Sequence, residues 1–433
     1  NMAEHEALVE NETVNENVTQ SEYTDLKGEK AHGEGSTKFS VAIFNLVNTI
    51  IGSGFLTLPY NLMLNGWISG TIEMTALAIL TTMSMWMLID ISTETHCYQY
   101  YAIARKLFKS AAWGIIISCI MIVQTSGSLM SYAIIIQQDF YWWNKKDNFL
   151  YIQLTFWAFM IILIFPLASL KKLDFLHWTS YITLIVVVYV TIMTIAYFAQ
   201  GIFHPQPAVA FKIPDAKALT TLPLFQNAFC CHYQIANIYR DLKEKTQNKM
   251  RKVVVINMFI VFSLYATVAL FGYFTFTSQL EINSNLIDVF NQLAGEQWYV
   301  EASNFMMLIC MISHYPLPCF GLRRTIESLF WKDQDAPTLW RLFICLMIIV
   351  ITGLIGSFVN NISDVLGYTS SLAGSCVVFI FPSIFSFMIW KKNGGKARLI
   401  CSVIGAFTGL FVMVTGLVCT IITGTSGGRD RKS

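Results

Sequence analysis

Eleven apolar stretches dominate this chain: Phe39 to Asn65, Trp67 to Ser92, Ala111 to Phe140, Leu150 to Leu170, Phe175 to Gln200, Leu219 to Tyr239, Val253 to Thr277, Gln297 to Leu322, Leu339 to Phe358, Ser363 to Trp390 and Leu399 to Thr423. Each approaches or exceeds the roughly 20 residues that a helix needs to cross a bilayer. Lipid offers backbone groups no partners, so long unalternating apolar runs predict helices rather than open sheets. With 55% hydrophobic and 13% charged residues, the composition is wrong for a soluble domain of 433 residues. The expected fold class is an all-α multi-pass membrane protein with eleven transmembrane helices.

The ends differ from the middle. Residues 1–37 are acidic, rich in Glu and Asn, and poor in large apolar side chains. Such a segment cannot bury enough surface to fold alone and is expected to be a disordered tail. It lacks an apolar core behind a basic start, so it does not read as a cleaved signal peptide. Orientation follows from the loops. Arg105, Lys106, Lys109, Lys171, Lys172, Arg240, Lys243, Lys245, Lys249, Arg251, Lys252, Arg323, Arg324, Lys332, Arg341, Lys391, Lys392, Lys396 and Arg398 fall on one side. Lys145, Lys146, Lys212, Lys217 and the short tail 424–433 fall on the other. The positive-inside rule then puts the N-terminus in the cytoplasm, with no Lys or Arg left inside a span.

Net charge is only +2, which gives no reason to expect a nucleic-acid partner. The ten cysteines show no metal spacing, and most lie inside apolar stretches as small hydrophobes. No Ser-His-Asp set or carboxylate pair suggests an enzyme.

Two stretches are poor places to continue a membrane helix. One is Asn48-Thr49-Ile50-Ile51-Gly52-Ser53-Gly54-Phe55-Leu56-Thr57-Leu58-Pro59, and the other is Phe229-Cys230-Cys231-His232-Tyr233. A broken helix persists in a bilayer only where it lines a cavity or grips a ligand. Paired interruptions in two halves of a helical membrane protein point to the substrate site of a secondary transporter. The breaks fall in the first and sixth stretches. An inverted repeat of residues 38–200 and 219–390 would make them equivalent and place them side by side near the midplane. The last stretch, 398–423, stands outside that repeat, with Gly405 and Gly409 on a close-packing face. Among intramembrane carboxylates Glu73 reads as the deepest, which nominates it for proton coupling beside a purely structural role. Tyr98 to Phe108 reads as an amphipathic segment, expected to lie on the membrane surface, with a gate as the alternative.

The residues also carry a family pattern. IFNLVNTIIGSGFLTLPY (Ile43 to Tyr60) resembles the first span of the amino acid/auxin permease superfamily, nearest to the sodium-coupled neutral amino acid transporters. FCCHYQIANIYRDLK (Phe229 to Lys243) resembles its sixth span, PLPCFGLRRTI (Pro316 to Ile326) the end of its eighth, and DVLGYTSSLAGSCVVFIFPSIF (Asp364 to Phe385) its tenth. The matches follow one another in order over nearly the whole apolar region. The resemblance implies an inverted five-plus-five core of the amino acid-polyamine-cation transporter type plus one helix, and symport of amino acids.

A zwitterion suits such breaks chemically. Free N–H groups at Gly52, Ser53 and Gly54 match a carboxylate, aided by the positive end of a half-helix. Carbonyls near Ile51 and around Phe229 to Cys231, with His232 beside them, match an ammonium or a cation. Phe55, Phe225 and Phe229 are candidate walls for the substrate side chain. By resemblance, Asn48 and the Ile51 carbonyl match positions that hold sodium, with Ser313 supplying a hydroxyl from the eighth span. In this region the sodium-coupled relatives place threonines, whereas this chain keeps one hydroxyl, Ser313, with His314 beside it. His314, His232 and Glu73 therefore stand as proton-coupling candidates. Sodium and proton both remain open here, as do the plasma membrane and an acidic lysosome- or vacuole-type organelle. The expected partners are a small neutral amino acid, the coupling ion and the lipid bilayer, and nothing requires more than a monomer. An amino-acid sensor signalling through its tail is the alternative; a passive channel fits paired broken helices less well.

Overall fold

Glycine, proline and polar residues punctuate the apolar stretches where the helices end. The computed structural model describes residues 37–144, 148–170, 177–201, 208–280, 283–294, 297–331, 336–359 and 361–430. The helices run in the order α1 (Phe39–Ile50), α2 (Leu58–Asn65), α3 (Trp67–Thr95), α4 (Tyr100–Phe108), α5 (Ala111–Trp143), α6 (Phe149–Ala168), α7 (His177–Gln200), α8 (Thr221–Ala228) and α9 (His232–Asp241). They continue with α10 (Gln247–Leu280), α11 (Leu286–Ala294), α12 (Trp298–His314), α13 (Pro316–Trp331), α14 (Thr338–Phe358), α15 (Ile362–Asn393) and α16 (Lys396–Asp430). Residues 1–36, which hold nearly all of the acidic tail, lie outside the described residues, as do Lys145, Lys146, Lys171, Lys172 and Lys332.

Among the described residues nine helices are long and apolar enough to cross a bilayer, counting α12 and α13 as one. The pair α1 and α2, bent by 52° across its break, makes a tenth if taken as one span. The expected stretch Leu219 to Tyr239 is divided into α8 and α9, of 8 and 10 residues. Gln234, Asn237 and Arg240 lie in α9, so this pair falls short of the length and apolarity that the others show. The chain is thus an integral, multi-pass membrane protein, built of helices among its described residues. Its exposed side chains agree: Leu150, Ile162, Phe259 and Phe407 face outward, where a soluble protein would present polar groups.

Tight turns join the helices. Gly66 between α2 and α3 has φ +90°, and an added Cβ there would lie 2.8 Å from the Ala210 carbonyl oxygen. Gly394 (φ +78°) turns α15 into α16. Both conformations favour glycine because they lie where a Cβ clashes with its own backbone. Gly409 brings α16 against α15, with Phe379 and Ile380 where its Cβ would be.

Two expectations change. Arg323, assigned from sequence to a loop, is 1% exposed, because the helix continues past Leu322. Its guanidinium donates to the Ala168 and Leu170 carbonyls at 3.2 and 3.1 Å and sits 3.5 Å from Glu327. A buried cation persists only when paired in this way. The Tyr98–Phe108 segment is docked rather than simply laid on lipid. Tyr100, Ile103 and Ala104 are buried, and the Tyr100 hydroxyl donates to the Val377 carbonyl at 2.9 Å.

Candidate functional site

The first break begins where α1 stops at Ile50. Ile51 turns extended (φ −73°, ψ 105°), Gly52 follows with φ −139° and ψ −148°, and a 3₁₀ turn over Ser53–Thr57 leads into α2. Pro59 suits the start of α2, where its missing N–H has no partner to lose. The break is held by side chains. The Tyr265 hydroxyl from α10 donates to the Ile50 carbonyl at 3.1 Å, and the Thr57 hydroxyl donates to the Gly54 carbonyl at 2.9 Å. Such partners occupy carbonyls that a helix end otherwise leaves orphaned.

The second break runs from Phe229 (φ −98°, ψ 7°) to Cys231 (φ −137°, ψ 16°), between α8 and α9. Here two main-chain hydrogen bonds are local, Cys230 N–H to the Asn227 carbonyl at 3.0 Å and Gln234 N–H to the Cys231 carbonyl at 2.9 Å, and the Cys231 thiol meets the Met85 sulfur of α3 at 3.8 Å.

The two breaks meet. A Cβ added to Gly54 would lie 3.1 Å from Ala228 Cα, so the glycine lets one backbone approach the other. A Cβ added to Gly52 would lie 2.8 Å from the Tyr132 hydroxyl. Neither glycine has positive φ, so close approach and not backbone handedness selects them. Between the breaks lies a small cavity of about 30 Å³. The first break lines it with Thr49, Ile50, Gly52, Ser53 and Gly54, and the second with Asn227, Ala228, Cys230 and Tyr233. Gln124, Thr125, Ser128 and Tyr132 of α5 and Pro318 complete the wall. These residues are largely polar and none is charged. Gln124 donates to the Asn227 side-chain carbonyl at 2.9 Å, and the Ser53 hydroxyl lies 2.6 Å from that of Ser131.

Of the residues nominated from sequence, Gly52, Ser53 and Gly54 line the cavity, and Ile51 is buried immediately beside them. Phe55, Phe225, Phe229, Cys231 and His232 are buried but do not line it. Phe229 instead packs on Phe262 and Tyr265 of α10. Asn48 is buried, and its side-chain carbonyl has no partner among the described residues. Ser313 is buried on α12, and among the described residues no hydrogen bond joins it to Asn48. His314 forms a hydrogen bond with the Thr183 hydroxyl and lies edge-on to Tyr132, one layer behind the cavity wall. Both ring nitrogens of His232 are buried and have no partner among the described residues. Glu73 is elsewhere, less than two turns into α3, where it accepts from Asn65 and contacts Thr221.

The wall contributed by α5 was not anticipated from sequence. The run Gln124-Thr125-Ser126-Gly127-Ser128 was the available signal, since it interrupts an otherwise apolar helix with polar side chains.

Fold and site together define a helical membrane protein that opens its backbone onto a neutral, polar cavity between two broken helices. The chain belongs to the transmembrane amino acid transporter protein family, whose profile matches residues 35–422. It is 26% identical over 437 residues to the sodium-coupled neutral amino acid symporter 2 of Danio rerio, covering 92% of this chain and 84% of that protein.

Proposed function

We propose that the protein is a secondary-active transporter of small neutral amino acids. It works by alternating access around the cavity between the two breaks. The observation that carries this reading is the close approach of Gly54 to Ala228 beside that cavity. The two breaks lie five spans apart when each interrupted pair counts as one span. That spacing supports eleven spans, an inverted five-plus-five repeat and one additional helix. The N–H groups of Gly52, Ser53 and Gly54 receive the substrate carboxylate, and carbonyls of the two breaks receive its ammonium. An uncharged wall suits a zwitterion of no net charge, because an unpaired wall charge would have to be desolvated. The small cavity favours short side chains, and the wall around them is polar, from Gln124, Ser128 and Asn227, rather than the phenylalanines.

Sodium is the proposed coupling ion, held by Asn48, the Ile51 carbonyl and Ser313. The unpartnered Asn48 carbonyl supports it, as does the sodium-coupled relative. A proton reading rests on His232, whose two ring nitrogens lack partners among the described residues; His314 is already engaged with Thr183. Sodium drive suits the plasma membrane and proton drive an acidic organelle. In either case the cluster Arg240, Lys243, Lys245, Lys249, Arg251 and Lys252 marks the cytoplasmic side, with the N-terminus on that side and the monomer as the working unit.

Uptake into proteoliposomes tests the proposal, with an amino acid panel and with sodium and pH gradients imposed separately. Accumulation of small neutral amino acids driven by sodium, and a several-fold weaker sodium dependence in Asn48→Ala, are expected. Uptake in Asn48→Ala with an unchanged sodium requirement would remove the ion site. Failure of wild-type vesicles to accumulate any amino acid would remove the transport reading.

A further inference from the structure

The ends of the half-helices remote from the breaks are tied in pairs, and one tie is a single carboxylate. Asn65 is the last residue of α2, and Thr221 is the first of α8. Both reach Glu73 of α3. Asn65 Nδ2 donates to it, and the Thr221 hydroxyl lies 2.9 and 3.1 Å from its two oxygens. Asn65 Nδ2 and the Thr221 hydroxyl are themselves 3.4 Å apart. Asn65 and Thr221 are buried, so water is a poor substitute for these bonds. At the other end, main chain does the same work. Thr37 N–H donates to the Asp241 carbonyl at 3.0 Å, and Lys243 N–H donates to the Thr37 carbonyl at 2.9 Å. That bridge ties the lead-in of α1 to the exit of α9. Each body is therefore cross-tied at its far end: α2 with α8, and α1 with α9. Covalent continuity between the bodies runs only through Ile51–Thr57 and Phe229–Cys231, short segments of the kind that absorb hinge rotation.

We propose that Glu73 is a positioning residue that pins α2 to α8, so that these two half-helices move as one body during transport. The proposal rests on the transport reading above and assigns Glu73 a role other than carrying the coupled proton. Hydrogen counting supports that assignment. The Thr221 hydroxyl has one proton, and it also lies 2.6 Å from the Ala218 carbonyl. If that proton goes to an ionised Glu73, the carboxylate accepts from both Thr221 and Asn65. If it goes to Ala218, a protonated Glu73 donates to the Thr221 oxygen and still accepts from Asn65. The pin holds in both protonation states, so it needs no proton exchange to function.

The test is a set of variants measured for uptake in proteoliposomes. Glu73→Ala is expected to lower the maximal rate about tenfold with KM nearly unchanged, as when a group positions the machinery without touching substrate. Glu73→Gln keeps one acceptor oxygen and is expected to retain most of the rate with a wild-type pH profile. A flattened profile in Glu73→Gln would instead make it a proton carrier and overturn the proposal. The decisive arm joins the half-helices covalently. Asn65→Cys and Thr221→Cys are combined and oxidised to a disulfide with copper phenanthroline, with the single variants as controls. The cross-linked protein should still transport, and the cross-link should rescue Glu73→Ala. A cross-link that forms, as mass spectrometry shows, yet stops uptake means that α2 and α8 must separate, and the proposal falls. If the wild-type protein transports nothing, the transport reading fails by itself. The pin is then read from stability alone, with Asn65 and Thr221 in place. Glu73→Ala leaves those two buried groups without their acceptor and should lower Tm, whereas an unchanged Tm would refute the pin.

Discussion

The two broken helices reach the same end by different means. The first break is built for close approach: glycines at 52 and 54 admit Tyr132 and the Ala228 backbone, and hydroxyls from Tyr265 and Thr57 hold its loose carbonyls. The second has no glycine. It is closed mostly by its own main chain, with the Cys231 thiol against Met85, and among the described residues neither ring nitrogen of His232 has a partner. A break fixed from outside by other helices has one defined shape. A break satisfied locally is freer to change with the body it belongs to. The first break should therefore be the more sensitive to substitution, and the second the more tolerant.

The largest effect is expected where that difference is greatest. Gly54→Val places two methyl groups against Ala228, whose Cα would be 3.1 Å from the new Cβ. Overpacking of this kind costs about 1–3 kcal/mol, and here it also pushes the two breaks apart. Uptake should fall to that of empty vesicles while the protein still purifies as a monodisperse species. Cys231→Ala at the second break removes only a small side chain and should leave uptake within about threefold of wild type. Equal losses in the two variants would erase the asymmetry.

How much of this was legible in the sequence depends on what each feature needs. The breaks were legible because Gly-Ser-Gly followed by proline, and Cys-Cys-His-Tyr, are chemically unsuited to an uninterrupted membrane helix. Their meeting was legible because a cavity is what makes a break tolerable in lipid. The wall was not, because it depends on how each helix is rotated about its axis. Phe229 sits within the second break, yet it points to Phe262 and Tyr265 instead of the cavity. Tyr132 of α5 sits on an apolar helix and points into it. Glu73 looked deep because the apolar stretch around it is long. It lies near a helix end because α3 begins directly after the Gly66 turn. Arg323 looked exposed because charge usually marks a loop, but two backbone carbonyls and Glu327 were waiting for it.

An intermediate effect tests the external support directly. Tyr265→Phe keeps the ring that packs on Phe229 and deletes only the hydroxyl that donates to the Ile50 carbonyl at 3.1 Å. A buried carbonyl left without its donor costs about 1–3 kcal/mol. A lower Tm and a several-fold slower uptake are expected, measured by a thermal shift in detergent and by initial rates in vesicles. If Tyr265→Phe matched wild type in both, the first break would not depend on α10, and the contrast with the second would lose its cause.

The smallest effect belongs to the second break and is the more telling for that. His232 is fully buried, and among the described residues neither ring nitrogen has a hydrogen-bond partner. Removing a polar group that makes no bond forfeits nothing, and an apolar replacement of similar size avoids burying its unsatisfied atoms. His232→Leu should therefore leave Tm unchanged or raise it slightly. A substantial loss of Tm would show that the ring is bonded after all, through water or substrate. The transport readout separates the two coupling readings. With sodium as the driver, His232→Leu keeps sodium-dependent uptake and its pH profile. If the ring carries a proton, the same variant retains its fold but loses uptake driven by a pH gradient. A histidine whose removal costs no stability yet abolishes proton-driven uptake would then owe its unpartnered nitrogens to function, and the tolerant break would be the one that carries the coupling.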